Sequence, residues 1–284
     1  MIPKCLMPGD GKFATEVVEA ILDRLLARVR KHRKPWLIGL SGLQGSGKST
    51  FAKQLIAAAK RRGIASITMS LDDFYLPHRE RTQLARDMHP LFATRGVPGT
   101  HDISLLRTTL AALKTASVAA PAHLPRFDKG RDTRVPRSRW RRVTRPPQLV
   151  VLEGWCVGVS EQSIEELLRP LNPLERSEDR HRLWRSYANE KLATSYQAIW
   201  KRFAALIVLQ APSFAVVKRW RGEPEKKLRK RGAPEAMSPK ELNRFLQHFE
   251  RISRHALHDL PARADILVGL DPQHSVRLIR IPAR

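Results

Sequence analysis

Cysteine is nearly absent from this chain. Cys5 and Cys156 are the two in 284 residues, too few and too far apart for a disulfide framework, which excludes the small cross-linked secreted folds. No stretch approaches the ~20 apolar residues of a membrane span, and Met1 to Asp10 lack the apolar run of a secretion signal. The expectation is a cytoplasmic protein without a membrane partner. Asparagine is also scarce. Asn172, Asn189 and Asn243 are the three present, and none opens the N-K-x-D element with which GTPases read guanine. An L-S-G-G-Q-like signature of transporter ATPases is missing too. Acidic residues are few, 27 Asp and Glu against 52 Lys and Arg, for a formal charge of +25. That charge attracts anions in general. It is densest over Arg126–Arg145 and Lys218–Arg231, but neither an aromatic-rich platform nor a helix-turn-helix pattern accompanies it. An organism-wide preference for arginine accounts for it equally well, so nucleic acid is a disfavoured partner, left open by the charge alone.

What is present points to phosphate. Gly42-Leu43-Gln44-Gly45-Ser46-Gly47-Lys48-Ser49 fits G-x-x-x-x-G-K-[ST], the P-loop that wraps a nucleoside triphosphate. Glycines let the backbone turn tightly and bring its N–H groups to the phosphate oxygens. Lys48 reaches the β- and γ-phosphates, and the Ser49 hydroxyl can ligate Mg²⁺. The apolar run Trp36–Leu40 reads as a strand entering the loop, and Thr50–Ala59 as the helix leaving it. Residues 42–50 are therefore the expected ATP-binding segment. The chain is short for a motor or a helicase, which favours a small kinase.

Apolar runs at 64–71, 148–152, 205–210 and 264–270 read as further strands, with 276–281 as a candidate sixth. Helical patterns cover 13–33, 104–114, 177–202, 213–231 and 238–259, with Asp102 placed to cap the second of these. Residues 119–147, rich in Pro and Arg, read as irregular. Strands alternating with helices predict an α/β P-loop NTPase fold, a parallel sheet of about five strands with helices on both faces. One kinase domain over 1–284 is expected, with a helical N-terminal extension at 1–34 and a helical lid at about 212–260. Ligands of such sheets bind at the carboxyl ends of the strands. Asp72 and Asp73 end the second strand, and Glu153 ends the third. Carboxylates beside a triphosphate suit phosphoryl transfer; a helix cap or a buried salt bridge would also account for them.

Beyond the P-loop, Asp72-Asp73-Phe74-Tyr75 resembles the D-x-F-Y/H element of uridine kinases and phosphoribulokinases. A closer resemblance is to the P-loop D-glycerate 3-kinase family of plants and fungi and its bacterial kinase-like relatives. It is carried by Gly39–Ser49, Ser70–Leu76, Arg95-Gly96-Val97-Pro98-Gly99-Thr100-His101-Asp102, Leu124–Lys129, Leu152–Trp155, Asn189 with Tyr196, Trp220-Arg221 and Met237-Ser238, in family order. The resemblance implies Lys48, Asp72, Glu153 and Arg221 as catalytic residues, with Asp72 the general base and Arg221 on the lid. It implies Ser49 and Glu153 as Mg²⁺ partners. It implies Asp72, Tyr75, Arg95, His101, Asp102, Arg126, Asp128, Lys129 and Asn189 around a small hydroxylated, anionic acceptor. The family usually reads W-R-x-Q-x-E where this chain has Trp220-Arg221-Gly222-Glu223-Pro224-Glu225. The expected reaction is ATP-dependent phosphorylation of a hydroxyl, with D-glycerate the first acceptor and its carboxylate held by Arg126, Lys129 or Arg95, Arg126 the first choice. A nucleoside or pantothenate-like acceptor is the alternative within the class. A nucleotide-binding regulatory or RNA-associated protein with little turnover is the alternative outside it.

Overall fold

A computed structural model describes residues 13–30, 32, 35–230 and 237–281. The expected features at 1–12, 31, 33–34 and 231–236 lie outside the described residues. In chain order the elements are α1 (Thr15–Val29), β1 (Trp36–Gly42), α2 (Lys48–Arg61), β2 (Ser66–Ser70), α3 (His78–Asp87), α4 (Ile103–Lys114), the short strands β3 (Ala122–Leu124), β4 (Phe127–Asp128), β5 (Thr133–Arg134) and β6 (Arg141–Val143), β7 (Leu149–Gly154), α5 (Ile164–Leu168), α6 (Pro173–Glu178), α7 (Leu183–Lys191), α8 (Gln197–Trp200), β8 (Ala205–Gln210), α9 (Ala215–Lys230), α10 (Pro239–Arg263), β9 (Ile266–Leu270) and β10 (Val276–Arg280).

One six-stranded sheet organises them, in the order β10-β9-β8-β1-β7-β2. The five strands from β9 to β2 run parallel, and β10 returns antiparallel on β9. The adjacent interior strands β1 and β7 are buried along their whole length. A strand covered on both faces must be apolar throughout rather than alternating, which is why both read as continuous hydrophobic runs. One face is covered by α1 and α2, whose Ile21, Leu22, Leu25, Phe51 and Leu55 share a core with Ile38, Leu40 and Ile207. The other face packs Leu37, Val150 and Leu152 against Leu106, Leu110, Tyr196 and Trp200. Each such side chain taken fully out of water stabilises the fold by roughly 1.5–3 kcal/mol.

Three elements differ from the sequence-based expectation. The helix expected over 177–202 is interrupted. Arg182 takes a left-handed φ of 64°, and the Asp179 carboxylate accepts from the N–H groups of Trp184 and Arg185, starting α7 afresh. A π turn over Leu192–Tyr196 separates α7 from α8. The irregular 119–147 segment contains two small antiparallel ladders, β3 with β6 and β4 with β5. Finally, α10, expected within a lid, places Leu242 and Leu246 in the first core and Phe249, Ile252, Ala256 and Leu260 in the second. Ser238 caps it with a reciprocal Glu241 capping box.

Candidate active site

The P-loop connects β1 to α2 at the carboxyl edge of the sheet. Gly45 and Gly47 hold φ of 84° and 85°, a left-handed geometry that costs L side chains energy and glycine none. A Cβ on Gly45 would stand 2.6 Å from the Trp220 Cβ. The N-terminus of α2 has no side-chain cap and no acid in its first turn, so its free N–H groups form a cradle for an anion. Leu43 packs in the core, and Thr50 continues α2. Among the described residues, the buried Oγ atoms of Ser41 and Ser46, both amide atoms of Gln44 and Glu153 Oε2 have no hydrogen-bond partner. Buried polar groups are seldom left so. Five of them around one loop mark a place built for a polar ligand.

Asp72 and Glu153 converge on this loop from neighbouring strand ends. Ser70 at the end of β2 is paired with Glu153 in β7. The Ser49 hydroxyl donates to Glu153 Oε1 at 2.8 Å. Asp72 lies in the short helical turn after β2, where Lys129 Nζ donates to its Oδ2 at 2.5 Å. Burial pushes the Asp72 carboxyl upward, but Lys129 and Lys48 outweigh it and hold the value at about 2, with help from a Tyr75 hydroxyl hydrogen bond. Asp72 is therefore an acceptor at any neutral pH. Adjacent Asp73 is driven the other way, by burial and by the Asp72 and Glu153 charges, although the Phe127 N–H donates to it at 3.1 Å.

A cleft of about 220 Å³ joins Gln44, Gly45 and Lys48 to Asp72 and to the cations Arg95, Lys129 and Arg221, with Tyr75 and Trp155 in its wall. Each outer cation is oriented by a carboxylate. Arg95 pairs with Asp132 at 2.5 Å, Lys129 with Asp72, and Arg221 with Glu225 at 2.9 Å. Glu225, buried by α9, also accepts from the Met237 N–H. The final Glu of the departed W-R-G-E-P-E segment thus still aims Arg221.

The Arg95–Asp102 segment builds the wall behind this cleft. Gly96 donates its N–H to Thr100 Oγ1, Trp155 Nε1 donates to Gly96 O, and Gly99 donates to the Tyr196 hydroxyl. Tyr75 and His101 form an isolated antiparallel bridge and their rings lie 4.8 Å apart. His101 is buried, and burial lowers it to about 4, so the ring is neutral at pH 7. Its Nδ1 is 2.6 Å from the Tyr196 hydroxyl, while Nε2 has no hydrogen-bond partner among the described residues.

Four residues expected at the acceptor are placed otherwise. Asn189 uses its amide on the backbone of Gln162, accepting at 2.7 Å and donating at 3.0 Å. Asp128 folds its own loop, accepting from the N–H groups of Gly130 and Arg131. Asp102 caps α4 through Leu105 N and pairs with Arg134 at 3.1 Å. Arg126 lines a different cleft, behind Asp73. Conversely, sequence reasoning assigned no role to three residues that organise the site. Asp132 bridges Arg95 to the buried Arg81, Tyr196 ties Gly99 to His101, and His274 donates from Nε2 to Gly45 O at 2.8 Å while stacking on Trp220. No local pattern marks Asp132 or His274, because each acts on residues far away in the chain.

A parallel sheet with a P-loop at its carboxyl edge, faced by an ionised carboxylate and three cations, defines a P-loop kinase. No family model matches the chain. It is 34% identical over 244 residues to an uncharacterised kinase of Schizosaccharomyces pombe, covering 82% of this chain and 86% of that protein. It is 31% identical over 224 residues to the chloroplastic D-glycerate 3-kinase of Arabidopsis thaliana, covering 76% of this chain and 46% of the plant enzyme, so it spans under half of that relative. The solved structure of D-glycerate 3-kinase from Cryptococcus neoformans superimposes with a TM-score of 0.77 over 93% of this chain and 98% of that one, at 23% identity, a likeness of fold alone. The chain belongs to the P-loop kinase family that contains these proteins, and it is an ATP-dependent kinase acting on a hydroxyl group.

Proposed function

We propose that the protein transfers the γ-phosphoryl group of ATP to the primary hydroxyl of a small hydroxy acid, D-glycerate first. The observation that carries the proposal is the single cleft shared by Lys48, Asp72 and the three carboxylate-anchored cations. A metabolite with one alcohol and one carboxylate matches that distribution of charge. The name of the plant relative supports the same acceptor.

In this reading Lys48 contacts the β- and γ-phosphates, and Arg221 contacts charge developing on the transferring group. Asp72 accepts the proton of the attacking hydroxyl. A carboxylate held near 2 is a weak base, which suits a loose transition state in which the hydroxyl becomes acidic only as its bond to phosphorus forms. Arg95 and Lys129 replace Arg126 as the residues that hold the acceptor carboxylate. The unpartnered Glu153 Oε2 and the Ser49 hydroxyl fit a Mg²⁺ site of the P-loop kind. Among the described residues no group of three or more His, Cys, Asp or Glu could hold a metal by itself. A Mg²⁺ ion held beside Glu153 and Ser49 would supply charge neutralisation on the phosphates.

ADP release across hydroxy acids, nucleosides, pantothenate and sugars tests the proposal. D-glycerate should support steady turnover. Glyceramide, which lacks the charge, should lower kcat/KM by about 10–100-fold, the scale of one charge-assisted hydrogen bond. Equal use of acid and amide, or preference for a nucleoside, would refute the acceptor and leave the kinase class intact.

A further inference from the structure

A second cleft lies back to back with the catalytic one, on the other side of the Asp72-Asp73 pair. Its volume is about 500 Å³, more than twice that of the catalytic cleft. It opens between the edge strand β2, helix α2 and the β3–β6 ladder. Lys53, Arg126, Arg139 and Arg141 line it, and Met69, Phe74 and Leu124 give it an apolar floor. The β3–β6 register sets Arg141 opposite Leu124, two residues before Arg126, and Arg139 lines the same cleft from the turn before β6. None of the four cations has an ion pair or side-chain hydrogen bond among the described residues. The one carboxylate in the lining is Asp73, and it is already engaged by the Phe127 N–H.

This differs from the catalytic cleft, where Arg95, Lys129 and Arg221 each have a protein carboxylate. Cations from three separate elements around one cavity repel one another, and among the described residues the engaged Asp73 is the one carboxylate in the lining to set against four of them. Lys53 comes from α2, Arg126 from the turn before β4, and Arg139 and Arg141 from the stretch entering and opening β6. We propose that this cleft binds a small molecule carrying two or more phosphate groups, distinct from the triphosphate at the P-loop and from the acceptor. Arginine forks suit phosphate oxygens, and the apolar floor suits the body that carries them. A sugar bisphosphate and a nucleoside diphosphate share this chemistry. The ligand is also positioned to influence catalysis. Arg126 in the second cleft, the Phe127 N–H on Asp73 and Lys129 on Asp72 belong to one four-residue stretch.

The test is calorimetric titration of the full chain with its P-loop first saturated by a non-hydrolysable ATP analogue. Inorganic pyrophosphate, a sugar bisphosphate and a nucleoside diphosphate are the probes, and the better of the last two identifies the source. The expected result is one further equivalent of at least one probe. The double variant Arg139→Gln/Arg141→Gln should weaken it on the order of 10–100-fold and leave the analogue affinity unchanged. Lys53→Met, on a different element, should weaken it as well. All these side chains are exposed, so the variants remain folded. Absence of a further equivalent overturns the proposal, and so does binding that survives both variants. Binding of a single-stranded oligoribonucleotide with no small probe bound also overturns it, because the basic face would then serve a macromolecule.

Discussion

Replacing Lys129 by Met tests the electrostatics of the candidate base directly. The variant keeps the length and apolar stem of the side chain and removes the charge 2.5 Å from Asp72 Oδ2. In the wild type the carboxyl sits at about 2 against an ordinary 3.8, a gap equivalent to about 2.5 kcal/mol. Burial is the largest influence and acts upward, so losing the stronger of two opposing lysines lets the carboxyl rise. Lys129 is more than half exposed, and solvent screening reduces its share to about 1–2 kcal/mol, or roughly one pH unit. The sign is fixed. Because the folded value is depressed, Asp72 contributes stability and remains ionised above 3.8, and both are lost as pH falls toward 2. In Lys129→Met that loss begins at higher pH. The assay is kcat as a function of pH at saturating acceptor, since Lys129 also affects acceptor KM. The acid limb should move up by about one unit, and 1 M salt should shrink the difference between variant and wild type. Superimposable normalised profiles would refute the assignment of Lys129 as the group that holds Asp72 ionised.

Lys48→Ala should lower ATP turnover by roughly 10²–10³-fold, the scale of one charged contact in a closed site, with an unchanged melting temperature; a variant retaining most activity contradicts the P-loop assignment. His101 has a folded value near 4 against 6.5, so its stabilising neutral state is fully present above 6.5 and is lost as pH falls toward 4. Chemical denaturation at pH 7 and 5 should therefore show a smaller drop for His101→Gln than for the wild type, and equal drops would contradict the burial argument. Asp132→Ala strips the carboxylate from buried Arg81 and from Arg95, and should cost about 1–3 kcal/mol of stability while raising acceptor KM. An Asp132→Asn variant, which keeps the shape and loses the charge, separates the two effects.

The phosphate-binding half of the site was legible in the chain because its chemistry is local. Eight consecutive residues supply the turn, the lysine and the hydroxyl, and the apolar run before them and the helix after them place the loop at a strand's carboxyl end. Asp72 and Glu153 were legible by the same logic, since a charge terminating an apolar strand lies at that edge. Asp102 as a helix cap also followed from sequence alone. The acceptor half was decided by tertiary structure. Asp72 and Asp73 are neighbours in sequence, but they sit in a tight helical turn, where successive side chains diverge by about 120°, and they line opposite clefts. Arg126 and Lys129 are divided in the same way. Asn189 and Asp128 matched a family pattern by position, but Asp128 is consumed by the backbone of its own loop and Asn189 by the backbone of Gln162, 27 residues earlier, uses that spacing does not reveal. Asp132, Tyr196 and His274 act only on residues brought to them by the fold. A contact across dozens of residues leaves no periodicity and no motif, so the P-loop was readable from the chain, and which side chains face it was decided by the packing of the segments around it.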